Sequence, residues 1–260
     1  RRSSDLAGQV ALLYGGLSQH LVAAELRDGR VDIAITGLGG AWKAVRQDSE
    51  QITNVAQIIN GSAYVVVCRI SSGVYGPKDI PGKKIGLWSL DEKPFLEEML
   101  RKLSIAPDSV EFVIQKHDGS SLVDGSVACA TSMIFDEYLT VIQRGVPYSD
   151  LIVIDPMTLG MPALLDGVYV DAKRLEDKNF RKILVGFVRA LREGWRETRI
   201  APTLSLEAVR SVSKTFDKEH QLRGLESMLM IIAADPKKFG LLDLKMVDQE
   251  SSRYIKQKIH

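Results

Sequence analysis

The sequence contains few of the residues that build metal sites, with two cysteines and four histidines among 260 residues. Cys68 and Cys129 stand inside apolar, strand-like runs without CxxC or Cys/His spacing, which argues against a structural zinc site. We therefore expect two buried free thiols and no bound metal. Two separated cysteines are compatible with either a reducing or an oxidising compartment.

Long hydrophobic runs are lacking as well. The longest apolar stretch, Met228–Ala234, is far too short to cross a bilayer, so we expect no transmembrane segment in this chain. The chain starts at Arg1 without a methionine or a signal-peptide pattern. We expect the natural N-terminus and any targeting segment to lie upstream of it.

Neither charge is in excess: 34 basic and 33 acidic residues give a formal net charge of +1. No global field is available to hold nucleic acid, so no nucleic-acid partner is expected. The sequence also has no GxxxxGK[ST] or GxSxG motif, and its histidines have no spacing for a proton relay or a metal. We therefore expect no cofactor, no catalytic residue and no enzyme; a catalytic role for His117, before a turn, is the weaker reading.

What the sequence does contain is an alternation of strands and helices at 45% hydrophobic and 26% charged residues, which is typical of folded α/β proteins. Short apolar runs predict strands at Gln9–Tyr14, Val31–Thr36, Ala63–Arg69, Lys84–Trp88, Val110–Gln115, Ser126–Ala130, Leu151–Asp155 and Gly167–Asp171. Helical spacing predicts helices at Ser18–Asp28, Leu38–Asp48, Pro94–Leu103, Asn179–Trp195, Leu206–Thr215 and His220–Ala233. We expect an α/β fold with mostly parallel sheets and a helical C-terminal region.

Glycine and proline punctuation at residues 71–77 and 160–162 brackets a middle segment. We expect residues 71–162 to form one lobe, and residues 1–70 with 163–260 to form the other. Crossovers near Arg69–Gly73 and Gly160–Leu164 would then join the two lobes as hinges.

Candidate ligand contacts lie at strand ends, where α/β proteins bind their ligands. Trp88 ends a predicted strand and could stack on a flat ligand, or pack as a core tryptophan. The same argument applies more weakly to Tyr64 and Trp42. Thr36 and Gly37 precede a predicted helix whose first amides could hold a polar group, although glycines at such turns often serve geometry alone.

Asp136 and Glu137 are adjacent carboxylates between a predicted strand and residues at helical spacing. Asp136 either complements the helix dipole or contacts a ligand, and the residues favour neither reading. Glu137 is the better candidate, because a carboxylate there could accept hydrogen bonds from an amino group on a heterocycle.

In order and spacing, four segments resemble the thiamine-pyrimidine-precursor-binding family of ABC-transporter solute-binding proteins, and its riboflavin- and sulfonate-binding relatives: Gly29–Ala34, Tyr64–Val67, Asp79–Gly86 and Met133–Tyr138. The resemblance runs from about Gln9 to Ala234 and implies a two-lobed type II periplasmic-binding-protein fold that traps its ligand between the lobes. Family members usually have Asn-Glu where this chain has Asp136-Glu137, so Glu137 carries over and Asp136 is a departure. The cysteine-rich motif of fungal relatives is not present. The family's first strand and helix would precede Gln9–Tyr14, so we expect either that they lie upstream of this chain or that another chain segment covers the gap.

The resemblance implies a solute-binding protein that captures a small heteroaromatic ligand, thiamine-precursor-like or flavin-like, for ABC-type uptake. A transporter permease or receptor would be its partner, at a periplasmic or other extracytoplasmic location, and any lipid anchor would lie outside this chain. The candidate ligand-binding residues are Ser18, Thr36, Gly37, Trp42, Ser62, Tyr64, Trp88, Ser89, Asp136 and Glu137. The alternatives are a ligand-sensing domain of a receptor or regulator with the same fold, and an enzyme of pyrimidine synthesis that uses His117.

Overall fold

The computed structural model describes residues 22, 25–26, 28–45, 52–212, 217–232 and 237–256. The strands in these residues are β1 Ala34–Thr36, β2 Ile52–Gln57, β3 Tyr64–Arg69, β4 Lys84–Leu87, β5 Glu111–Ile114, β6 Cys129–Met133, β7 Leu151–Ile154 and β8 Gly167–Asp171. The α-helices are α1 Leu38–Val45, α2 Lys93–Lys102, α3 Ser120–Val123, α4 Glu137–Gln143, α5 Lys178–Ile200, α6 Pro202–Val212, α7 Lys218–Ile231 and α8 Leu244–Lys256. The predicted α/β class and helical C-terminal region are confirmed. The predicted strand Gln9–Tyr14, the candidate Ser18 and most of the helix predicted around it lie outside the described residues.

One sheet has five strands in the order β5-β4-β6-β3-β7. Its strand β3 is buried on both faces: Val66 and Cys68 join one apolar cluster, while Val65 and Val67 join another. Alternate side chains of a strand point to opposite faces, so two clusters on two faces require an uninterrupted apolar run. The continuous apolar run at Ala63–Arg69 is therefore readily recognised as a strand from the sequence.

Within the described residues, the other sheet has three strands in the order β1-β8-β2, and both pairs are antiparallel. Gly167 at the start of β8 faces Thr36 on one side and Gln57 on the other. The ends of β1 and β2 therefore lie beside the start of β8, at one edge of the sheet. Helix α1 begins directly after this edge.

The chain passes between the two sheets twice, through residues 58–63 from β2 to β3 and through residues 155–166 from β7 to β8. No α-helix intervenes in either crossover. A chain that leaves the end of one strand and enters the other sheet directly must enter at the facing edge, so the new strand runs against its neighbours. β3 and β8 are reversed for this reason.

The expectation of mostly parallel sheets is therefore wrong in detail. Among the described residues, the pairs β4–β5 and β4–β6 are parallel, whereas β3–β6, β3–β7, β1–β8 and β2–β8 are antiparallel. An apolar run buried on both faces has the same residue pattern in either direction, so the sequence does not distinguish them. The first crossover also precedes β3, whereas the sequence analysis places it after that strand, at Arg69–Gly73.

The expectation of free thiols is wrong. Cys68 and Cys129 form a disulfide, with Cα atoms 3.9 Å apart. The register of β3 against β6 places these residues directly opposite each other. Strand partners and their register are tertiary information, so the sequence spacing alone did not reveal the pair.

The C-terminal helices cover the three-stranded sheet. Helix α5 begins where the Asp177 carboxylate accepts a hydrogen bond from the Asn179 N–H. Phe180 and Leu184 are buried against Val170 of β8. In the described part of the chain, no helix is both long enough and apolar enough to span a bilayer.

We predict that replacing both cysteines with alanine lowers the free energy of unfolding by about 2–4 kcal/mol, because the bridge closes a loop of 61 residues in the unfolded chain. Denaturant unfolding of the parent and the double variant measures this difference. Alkylation of the denatured, unreduced parent serves as the control and should label no thiol. Labelling of two thiols without reductant would contradict the disulfide.

Candidate ligand-binding site

Several functional side chains converge on the edge of the five-stranded sheet that the crossovers reach. Strands β4 and β6 are parallel and end there, at Leu87 and Met133. The reversed strand β3 begins there, and its first residue, Tyr64, pairs with Met133. Trp88 directly follows β4. The edge of the sheet therefore brings together residues that are far apart in the sequence.

Three aromatic rings form a contiguous cluster at this edge. The Tyr64 ring meets Trp88 edge to face at 5.8 Å between centroids, and it meets Phe95 of α2 edge to face at 5.3 Å. The exposed His117 ring stacks on the indole of Trp88 at 5.9 Å, with 9° between their planes. Trp88 Nε1 is buried and has no hydrogen-bond partner within the described ranges. We call Trp88, Tyr64 and Phe95 the aromatic cluster.

Glu92 lies beside the aromatic cluster and was missed in the sequence analysis. Its carboxylate accepts a hydrogen bond from Tyr64 Oη at 3.1 Å. Burial raises the pKa of Glu92, although hydrogen bonds from Thr131, Tyr64 and the Trp88 and Ser89 backbones act against that shift. Burial also raises the pKa of the Tyr64 hydroxyl well above its usual range. In the sequence, Glu92 stands three residues after Ser89, which is capping-box spacing, but the Ser89 side chain forms no cap in the structure.

Glu137 is the first residue of α4 and is only 7% exposed. Its Oε2 accepts a hydrogen bond from the Met133 N–H at 2.9 Å. Burial, aided by the negative charge of Asp136, raises the pKa of Glu137 to about 7, and the Met133 hydrogen bond only partly opposes this. The carboxyl group can therefore be either a donor or an acceptor near neutral pH.

The facing edge of the three-stranded sheet contributes polar groups. Thr36 is buried, and its Oγ1 has no hydrogen-bond partner among the residues that the structure describes. Gly37 follows it, but the next amide, that of Leu38, already donates to the Leu164 carbonyl at 3.0 Å. Burial raises the pKa of the Asp166 carboxyl, which lies just before β8. At this edge, the groups that a ligand could contact are therefore the Thr36 hydroxyl and the Asp166 carboxyl, while the Leu38 amide is already hydrogen-bonded.

The remaining described candidates from the sequence have other surroundings. Asp136 is exposed and contacts His220 of α7, with 3.0 Å between Oδ1 and Nε2. It borders an apolar cavity of about 800 Å³ between α5, α6 and α7. Ser62 Oγ accepts a hydrogen bond from the Tyr64 N–H at 3.3 Å, and Trp42 is half-buried in α1. Ser89 begins a short 3-10 turn without a side-chain cap.

Helix α8, which was not predicted, packs on the second crossover. Glu250 Oε2 accepts a hydrogen bond from the Leu164 N–H, and Arg253 donates to the Pro162 carbonyl. The Arg253 guanidinium also lies over the Phe95 ring, 4.9 Å from its centroid. Both side chains are buried. The C-terminal helix therefore reaches the aromatic cluster.

Comparison with known proteins identifies both a family and a fold. The profile of the family described as NMT1/THI5 like matches residues 12–203. No curated protein matches the chain. Among the described residues, no group of three His, Cys, Asp or Glu is placed to hold a metal ion.

Solved structures with a similar fold include three binding proteins. The periplasmic aliphatic sulphonate binding protein SsuA from Escherichia coli is 12% identical, with 93% of this chain and 79% of that chain covered at a TM-score of 0.70. The alkanesulfonate-binding protein SsuA from Xanthomonas axonopodis pv. citri, bound to MOPS, is 11% identical, covering 93% and 78% at 0.64. The ligand-binding component of an ABC-type import system from Staphylococcus aureus, with zinc bound, is 14% identical, covering 91% and 77% at 0.62.

In the described part of this chain, two sheets are joined by two direct crossovers, and polar and aromatic side chains lie at the edges that the crossovers reach. At such low sequence identity, the similarity to these structures shows the fold alone. The family profile, which covers most of the chain, shows the family. The protein has a type II periplasmic-binding-protein fold and belongs to the NMT1/THI5-like family.

Proposed function

We propose that the protein is a solute-binding protein of an ABC import system, and that it captures a small heteroaromatic ligand between its two lobes. The observation that carries this proposal is the convergence of Trp88, Tyr64 and Glu137 at one edge of the five-stranded sheet. A thiamine-precursor-like pyrimidine or a flavin-like ring is flat and carries groups that hydrogen-bond in its plane. Such a ligand matches an aromatic surface beside a buried carboxyl group.

Trp88 supplies the stacking surface in this proposal. Its indole is half-buried, and Tyr64 holds it edge to face. The exposed His117 ring lies parallel to the indole, so a planar ligand could replace or extend that stack. Stacking on Trp88 is a sufficient role for the His117 ring in a binding protein, so we propose no catalytic role for it.

Glu137 supplies the in-plane contact. Its Oε2 accepts the Met133 N–H, and a carboxyl group has further acceptor sites that a ligand amino group could use. The carboxyl group gains or loses a proton near neutral pH, so it can match either a donor or an acceptor on the ring. Thr36 Oγ1, on the facing edge, is a second group that a ligand could engage.

The membership of the two sheets supports a revised pair of lobe boundaries. We propose that the first hinge is the crossover at residues 58–63 instead of Arg69–Gly73, since β3 belongs to the five-stranded sheet. The second crossover, residues 155–166, includes the expected hinge Gly160–Leu164. A ligand that contacts both facing edges stabilises the closed arrangement over the open one, and a permease could recognise the closed shape.

An extracytoplasmic location agrees with the disulfide. Cys68 and Cys129 are both fully buried and joined in the structure. Structural disulfides form and persist in oxidising compartments such as the periplasm and the cell exterior. The bridge therefore favours secretion of the protein, which a role in solute capture requires.

We predict that isothermal titration calorimetry with pyrimidines, flavins, alkanesulfonates and amino acids gives binding heat with a heteroaromatic compound. Trp88→Leu should weaken that binding about 10- to 100-fold, because a stacked indole contributes about 1.5–3 kcal/mol. Tyr75→Leu is the matched control, since Tyr75 is 70% exposed and lies outside the aromatic cluster. Heat from alkanesulfonates or amino acids alone would refute a heteroaromatic ligand.

We also predict that Glu137 makes the folded protein less stable as pH rises from about 4.5 to 7. Its pKa is raised to about 7 from 4.5, so the folded state binds the proton more tightly than the unfolded state. The resulting loss of unfolding free energy over that window is about 2–3 kcal/mol and should be absent in Glu137→Gln. Chemical denaturation at several pH values measures it.

The control for this experiment is Glu176→Gln, which removes an exposed carboxylate that is distant in sequence from Glu137. It should reproduce the pH dependence of the parent. Identical pH profiles for the parent and Glu137→Gln would show that Glu137 titrates normally and would remove the basis for its adaptable hydrogen bond.

A further inference from the structure

Arg253 of α8 is a buried cation whose hydrogen bonds are incomplete. It is only 8% exposed, so more than nine-tenths of the residue is removed from solvent. Its Nη2 donates to the Pro162 carbonyl in the second crossover. Its Nη1 is also buried and has no hydrogen-bond partner in the described segments. One end of the guanidinium fork is satisfied and the other is not.

A buried guanidinium with an unsatisfied donor is costly for the protein. Arginine remains protonated in proteins, so it cannot relieve the cost by losing a proton as a buried lysine can. The carboxylate one helical turn earlier, Glu250, accepts a hydrogen bond from the Leu164 N–H. Buried polar groups in proteins are usually hydrogen-bonded, so an acceptor placed at Nη1 would remove this cost.

Arg253 lies in contact with the aromatic cluster. Its guanidinium carbon is 4.9 Å from the Phe95 centroid, and Phe95 is 5.3 Å from Tyr64, which contacts Trp88. Trp88 Nε1 is a second buried donor without a partner among the residues described. The two unsatisfied N–H donors thus belong to one continuous set of contacts. Arg253 comes from the C-terminal region, whereas Phe95 and Trp88 come from the middle segment.

We propose that Arg253 binds an oxyanion of the ligand, so that the captured compound is a heteroaromatic ring that carries a carboxylate or a sulfonate. This proposal rests on the proposed function, since it uses the same cleft. The planar fork of arginine matches the paired oxygens of such groups, and a charge-assisted hydrogen bond satisfies Nη1. The ring stacks on the aromatic cluster while its acidic substituent meets Arg253.

Glu137 does not oppose an anionic group at mildly acidic pH. Burial raises its pKa to about 7, so it favours its neutral form at about pH 6. Burial also raises the pKa values of Glu92 and Asp166, which weakens the repulsion that they exert on an anion. The carboxylate of Glu250, three residues before Arg253, accepts the Leu164 N–H.

Matched pairs of ligands that differ only in charge test the proposal. Calorimetry at about pH 6 would compare pyrimidine-5-carboxylate with pyrimidine-5-carboxamide, and pyridine-3-sulfonate with pyridine-3-sulfonamide. The parent protein should bind the anion of at least one pair about tenfold or more tightly than its amide. Arg253→Gln should reduce this ratio to near one, and Arg253→Lys should restore part of it. Arg210→Gln removes a 65% exposed arginine and should leave the ratio unchanged.

Thermal unfolding with and without sodium sulfate gives a second readout that needs no heteroaromatic binding. Sulfate should raise the Tm of the parent and of Arg210→Gln more than that of Arg253→Gln. If neither ring pair binds but this difference is found, the heteroaromatic function fails and Arg253 remains an oxyanion site. If both members of a pair bind equally, Arg253 has no such role although the heteroaromatic function stands. Absence of ring binding and of any sulfate difference would overturn both.

Discussion

The arrangement of this protein depends on one topological constraint, which is that the chain crosses between its two sheets without an intervening helix. Residues 58–63 and 155–166 enter each new sheet at the facing edge, so β3 and β8 run against their neighbours. The same reversal places Tyr64 beside Met133 and Gly167 beside Thr36. The candidate site exists because the two crossovers begin and end at the same pair of edges.

The sequence was sufficient wherever a residue's surroundings are set by its own strand or helix. The valines of β3 and the Phe180 face of α5 were recognised because period-2 and period-3.6 patterns record burial directly. β2 was missed because its last residue, Gln57, is polar and yet fully buried, its amide donating to the Ile59 and Leu165 carbonyls. Such pairing comes from tertiary contacts, as do strand direction and the register that joins the cysteines.

The candidate site shows the same division. Trp88 and Glu137 could be proposed from the sequence because each directly follows a strand or its loop. The sequence favours Glu137 over Asp136, and the structure shows how differently these adjacent residues are placed. One carboxylate turns inward to the Met133 amide, and the other turns outward to His220. Glu92 and Arg253 could not be proposed that way, because their partners lie on elements distant in the sequence: Glu92 meets Tyr64 of β3, and Arg253 meets the Pro162 carbonyl and the Phe95 ring.

The polar groups around the aromatic cluster differ in how they can respond to a ligand. A buried carboxyl group such as Glu137 can become neutral by taking up a proton, so it tolerates ligands of different charge at a modest free-energy cost. Arg253 has no such adjustment, and its cost is removed only by an acceptor placed at Nη1. Selectivity for charge should therefore be strongest at the Arg253 end of the cleft. Selectivity at the Glu137 end should depend more on the positions of donors and acceptors around the ring.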